Sequence, residues 1–157
     1  MKNIRLIAIL FISITIIGCT NYPCHRAECA VYFAGFSQNE LDSILIKKLN
    51  KGQQITLDSC FLFNSVHTYN YQSTDSFSLF NYCNGFYGLV SDYDYEINIM
   101  SIHKKYSIKE IIEEQHSLRK SFFVNTKEDC VNLISSYKLN DSFINATNYD
   151  NSIFISK

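Results

Sequence analysis

"YDYEINIM", residues 93–100, decides the fold: Tyr93, Tyr95, Ile97 and Ile99 alternate with Asp94, Glu96 and Asn98. Strict alternation turns one face of an extended chain toward a core and the other toward water, which is the period of a strand. The surrounding chain repeats the pattern. Ile44 and Ile46 share a parity in "DSILIKKL" (42–49), as do Phe77 and Leu79 in "SFSLF" (76–80). In "CVNLISSYKLN" (130–140), Val131, Leu133, Tyr137 and Leu139 are expected to share the core face. "CAVYFAGF" (29–36) is apolar on both parities and suits a central strand, "QITLDSCFLF" (54–63) reads as a longer, less regular strand pair, and "NSIFIS" (151–156) reads as a closing strand. Turn residues fall between them at "SQNE", "NKGQ", "YCNGFYG" and "YKLND". Short strands of this number, about seven to eight, predict an all-β, two-sheet β-sandwich, immunoglobulin-like or related.

One segment departs from the pattern. "SIKEIIEEQHSLRK" (107–120) has Ser107 and Glu110 in capping-box spacing, with Ile108, Ile111, Ile112 and Leu118 near helical spacing. Lys104 to Ile108 is read as a strand paired with residues 93–100 across "MSIH", and 108–119 is open between a short helix and further strand.

The opening, "MKNIRLIAILFISITIIGC", combines a positive region (Lys2, Arg5) with an uncharged run from Leu6 to Ile17. That is the form of a secretory signal. The run is too short for a permanent membrane span, which needs roughly 20 apolar residues. "Ile16-Ile17-Gly18-Cys19" resembles the lipobox of bacterial lipoproteins, although it has Ile where the commonest pattern has Leu and a small residue. The resemblance implies cleavage before Cys19, acylation of its thiol and new amino terminus, and attachment to a membrane through that lipid. Thr20, rather than Asp, implies sorting to an outer membrane over an inner one. The expected organisation is a lipoprotein signal peptide at 1–18, a tether at 19–28 and a sandwich domain at 29–157.

A second resemblance is carried by "AVYFAGFSQNELDSILIKKLNKGQQ", "DYDYEINI", "KKYSIKEI" and "DCVNLISSYKLND", in that order. Together they are similar to a group of small bacterial envelope lipoproteins of unassigned activity, which implies a β-sandwich and brings no catalytic residues. "DYDYEI" also resembles the tyrosine-corner strand of such sandwiches, without the cysteine that comes after it there.

Removing residues 1–18 would leave 139 of 157 residues, enough for one domain with a core. With Lys2 and Arg5 gone, 12 basic residues face 15 acidic ones, a formal net charge of −3. A mildly acidic chain without basic clusters does not suit nucleic acid.

Five cysteines follow Cys19: Cys24, Cys29, Cys60, Cys83 and Cys130. In an oxidising compartment they are expected to form two disulfides and leave one thiol. Cys60–Cys83 and Cys29–Cys130 are the favoured pairs, with Cys24 left over in the tether. "CHRAEC" offers His25 between two cysteines, but its spacing is not a zinc site's and no second pair completes four ligands, so no metal is expected. No C-x-x-C suits redox exchange, and no cofactor is expected.

His67, His103 and His116 lack any accompanying nucleophile motif and read as surface residues. Asp92, Asp94 and Glu96 could suggest calcium or a glycosidase pair; Asp94 and Glu96 are read instead as solvated charges on one strand face. "SVHTYNYQSTDS" (65–76) reads as a long polar loop in which Tyr69 and Tyr71 could bind a protein or glycan. The function expected is therefore a lipid-anchored, non-catalytic envelope module. A small envelope hydrolase and a purely structural lipoprotein are the alternatives.

Overall fold

In the computed structural model, residues 24, 26–71, 74–79, 88–117, 130–146 and 151–157 are described. Ten strands lie among them: β1 (Ala30–Ala34), β2 (Ser43–Asn50), β3 (Thr56–Phe63), β4 (Val66–Tyr71), β5 (Thr74–Leu79), β6 (Tyr93–Ile99), β7 (Lys104–Ser117), β8 (Cys130–Leu139), β9 (Ser142–Asn145) and β10 (Ser152–Ser156). They form a four-stranded sheet, β10-β1-β5-β4, and a six-stranded sheet, β3-β2-β6-β7-β8-β9. The all-β, two-sheet class expected from the alternation is the one found. The strand count is higher because the 65–76 stretch is not a loop but most of the β4–β5 hairpin, and because β9 adds a short edge strand.

One core fills the space between the sheets. Val31 and Phe33 of β1 and Ile153 and Ile155 of β10 face Ile44 and Ile46 of β2 and Tyr95, Ile97 and Ile99 of β6. Aromatic rings stitch the layers together: Phe33 meets Phe36 edge-on with centroids 5.9 Å apart, and Phe36 meets Tyr106 of β7 at 6.3 Å. The Tyr95 hydroxyl accepts the Val90 N–H at 3.0 Å and donates to the Val90 carbonyl at 3.4 Å. This is the upstream backbone contact of a tyrosine corner, which anchors the entry to β6.

Of the two readings of 108–119, the strand is the one found over the described residues 108–117. β7 pairs with β6 through Ile108 and then continues as a strand to Ser117, opposite Cys130. Its ladder with β8 is interrupted between Lys109 and Ile112, where Glu110 takes φ +50°. A bulge of this kind inserts a residue and reverses the parity of the residues after it. Ile108 and Ile111, three apart, therefore both reach the core, both essentially inaccessible. That spacing mimics a helical face. A second irregularity, between Ile112 and Glu113, shifts β8 in the same way: Ile134, Ser136 and Tyr137 are its buried residues, whereas Val131, Leu133 and Leu139 are only half-buried.

Asp94 corrects a further expectation. It lies on the outer parity of β6 yet is 4% exposed. Its carboxylate accepts the Gly52 N–H at 2.8 Å and the Glu110 N–H at 3.2 Å. Gly52 has φ +70° in the β2–β3 turn, a conformation glycine adopts without strain. Glu110 has a Cβ and pays about 1–2 kcal/mol for the left-handed region, which a hydrogen bond to a charged acceptor, about 1.5–3 kcal/mol, offsets. Asp94→Ala is expected to destabilise the fold by about 3 kcal/mol in urea titrations because two N–H groups lose their acceptor. Asp94→Asn, which keeps one acceptor oxygen, should lose about half as much.

Candidate functional site

The tether end of the sandwich gathers the titratable side chains nearest the core. Cys29 exchanges backbone hydrogen bonds with Leu89, at 2.8 and 3.2 Å, which carries its side chain into the core cluster. Three residues earlier, Arg26 forms an ion pair with Asp92, and between them the Ala27 N–H lies 3.5 Å from Glu113 Oε2. The other Glu113 carboxylate oxygen is buried without a hydrogen-bond partner. The adjacent residue to Asp92, Ser91, accepts Lys51 Nζ through its carbonyl at 2.7 Å. One turn, 91–92, thus holds both the tether and the β2–β3 hairpin.

Cys29 is a free, buried thiol, whereas Cys24 and Cys60 are disulfide-bonded. The expected Cys29–Cys130 pair and the expected free Cys24 are thus both overturned. Geometry supplies the reason. Cys29 lies by Glu113, which is opposite Ile134, and Cys130 is four residues farther out along β8, about 13 Å at strand rise. A disulfide needs Cα atoms within about 7 Å. Cys83 and His25 fall outside the described residues, as does Cys19, and of Cys130 only the backbone is described.

Burial pushes the Cys29 thiol up, and the Glu113 carboxylate adds to the effect. A nucleophilic cysteine requires the opposite shift, toward thiolate. Cys29 therefore packs as a small apolar side chain. Burial likewise pushes the Tyr95 phenol up to about 12, against the lowering effect of its bond to Val90, and burial raises Tyr137, whose hydroxyl accepts the Phe154 N–H at 3.3 Å. These groups stay protonated and serve the fold.

The carboxylates of the outer face are occupied too. Glu96, expected to be solvated, has a side chain only 13% exposed, held between Lys47 at 2.9 Å and Lys105. Burial pushes its carboxyl up, but hydrogen bonds from Lys105, Lys47 and Asn98 prevail and hold it at about 2. Lys109 and Lys138 stand opposite each other on β7 and β8, and each is drawn to its own carboxylate: Lys109 to Asp141 at 3.0 Å, Lys138 to Glu110 at 2.7 Å. No cluster of three or more His, Cys, Asp or Glu suited to a metal occurs among the described residues. His67 is exposed on β4, His103 is exposed in the turn between β6 and β7, and His116 is half-buried on β7.

Tyr69 and Tyr71 are on β4, an edge strand, opposite Ser76 and Thr74. Ala34, the last residue of β1, pairs with Ser76. The Tyr71–Thr74 pair, two residues farther along β5, therefore lies beyond the far end of β1, away from the tether. A second feature, the exposure of β3, is not anticipated by the sequence pattern. Residues 51–59 are all exposed, and Ile55, Leu57, Phe61 and Phe63 are 59%, 52%, 57% and 62% exposed. Its signal is nonetheless present in "QITLDSCFLF": apolar residues on both parities of a strand that sits at a sheet edge have only one face to bury.

No protein-family model, curated protein or solved structure matches the chain.

In the oxidised native protein, Cys29 should be alkylated by iodoacetamide only as fast as the domain unfolds, read by peptide mass spectrometry over time. Rapid labelling in native buffer would contradict its burial. Glu96 titrates lower in the folded chain than in the unfolded one, so its stabilisation is complete above the ordinary carboxylate range and is lost as pH falls toward 2. The stability difference between wild type and Glu96→Gln should accordingly shrink between pH 5 and pH 2 in parallel urea titrations.

Proposed function

We propose that this chain is a lipid-anchored component of a bacterial cell envelope, acylated at Cys19 after removal of residues 1–18, whose sandwich binds a protein or glycan partner rather than catalysing a reaction. The observation that carries the anchor is the order of Lys2 and Arg5, the uncharged run Leu6–Ile17 and the Gly18-Cys19 junction. Two or three acyl chains, each contributing about 0.8 kcal/mol per buried CH₂, hold a protein to a bilayer effectively permanently. The disulfide-bonded state of Cys24 and Cys60 supports an oxidising compartment. With Cys19 taken by lipid and Cys29 free, the four cysteines Cys24, Cys60, Cys83 and Cys130 make two bonds. Thr20 favours the outer membrane.

Binding is supported by how the polar groups are used. Asp94, Glu96, Tyr95, Tyr137 and Cys29 are engaged in the fold, so the acid, phenol and thiol groups nearest the core are committed to structure. Tyr69 and Tyr71, at the sheet edge remote from the tether, are the residues proposed to meet the partner, and aromatic rings suit both sugars and proteins.

Expression with and without Cys19→Ala tests the anchor. Wild type should partition into detergent and carry an acylated Cys19 at its mature terminus, and the variant should do neither. Pull-down from detergent-solubilised envelopes should recover a partner that is lost when Tyr69 and Tyr71 are both changed to Ala. Turnover of a hydrolase substrate, abolished by one His or Asp substitution, would overturn the binding assignment.

A further inference from the structure

We infer that the tip of the β2–β3 hairpin, residues 51–57, rests on the lipid surface to which the chain is tethered, with Ile55 and Leu57 entering the interface. The inference builds on the proposed acylation of Cys19. It is carried by where the tether leaves the sandwich and by what lies beside that point.

Arg26 and Lys51 are held by adjacent residues, Asp92 and Ser91. Arg26 is seven steps along the chain from Cys19, and an extended chain spans at most about 3.5 Å per step, so an acylated Cys19 lies within about 25 Å of Arg26. The bilayer surface is equally close. Whatever projects from this end of the sandwich meets it first, and the β2–β3 hairpin projects: its residues 51–59 are exposed without a break.

The chemistry of the tip fits an interface. Ile55 and Leu57 are more than half exposed, Lys51 adds a positive charge, and Gln53 and Gln54 are uncharged. Asp58, the acidic residue of the stretch, accepts the N–H of Ser59 at 2.8 Å. The turn is rigid: Asn50 donates its side-chain amide to Gln53 Oε1 at 2.8 Å and accepts the Gln53 N–H at 2.9 Å, and Asp94 holds Gly52 from below. Two aliphatic side chains on a fixed turn lose little freedom on entering lipid. Their contribution is modest beside the acyl chains, so the tip orients the domain and the lipid supplies the attachment. Phe63 is as exposed as Ile55 but lies at the opposite end of the sheet, paired with Ser43 where Asn50 pairs with Tyr93. It is the built-in control.

The chain contains no tryptophan, so each of Leu57→Trp and Phe63→Trp carries a single fluorescent probe. The full chain, expressed with its own first nineteen residues, is purified in detergent, checked for acylation by intact mass and reconstituted into phosphatidylethanolamine–phosphatidylglycerol vesicles containing acyl chains brominated near the headgroup. The Leu57→Trp emission should shift to the blue and be quenched at least twofold, with Phe63→Trp emission unchanged. Acylated protein whose Leu57→Trp probe is not quenched, or in which both probes are quenched alike, overturns the contact and leaves the anchor standing. Protein without acyl mass overturns the anchor and the contact with it. Since both substituted positions are exposed, circular dichroism matching the wild type shows that each variant is folded.

Discussion

A buried carboxylate, that of Asp94, fixes the two irregular points beside β6, a turn and a bulge, that the regular ladder of β2, β6 and β7 does not itself hold. From β6 it reaches the turn between β2 and β3 on one side and the bulge in β7 on the other. The bulge sets which residues of β7 after it face inward, and a second irregularity, between Ile112 and Glu113, sets the parity of β8. Ile111, three residues after Ile108, owes its burial to that adjustment of parity, and Ile134 lies beyond the second irregularity. A charge on the wet side of a strand thus governs the packing on its dry side.

The same arrangement explains which elements are legible in the sequence and which are not. Where a strand is regular its alternation is plain: β6, β2 and β10 stand out in the spacing of Ile and Tyr alone. β7 fails because a bulge places Ile108 and Ile111 on one face at a spacing of three, which sequence alone cannot tell from a helix, and the Ser107–Glu110 spacing reinforces the confusion. β4 fails for a different reason. Its Tyr, Asn, Thr and His residues lack an apolar parity, so an edge hairpin looks like a polar loop. Asp94 escapes such a reading because alternation tells which side of a sheet a residue occupies, not what folds over that side.

The cysteines show the limit of counting. An odd number in an exported chain implies a free thiol, and that much is arithmetic; which one is free depends on distance across the fold. Cys29, at the mouth of β1, is bound to Leu89 and sunk in the core beside Tyr95 and Tyr137, while Cys24, five residues earlier, is drawn into a disulfide. The core end of the segment is held by packing and its outer end by a covalent bond.

The pairing of β1 with β10 bears on how the molecule comes into being. β1 runs parallel to β10, Ala30 opposite Ser152 and Ala34 opposite Ser156, so strands far apart in the sequence lie side by side. Until β10 is in place, Val31 and Phe33 lack one of their lateral neighbours and the four-stranded sheet lacks its β10 edge. Contacts of such long sequence separation form slowly. The sandwich therefore reaches its full core late, with β1 open along one side until β10 arrives to cover it.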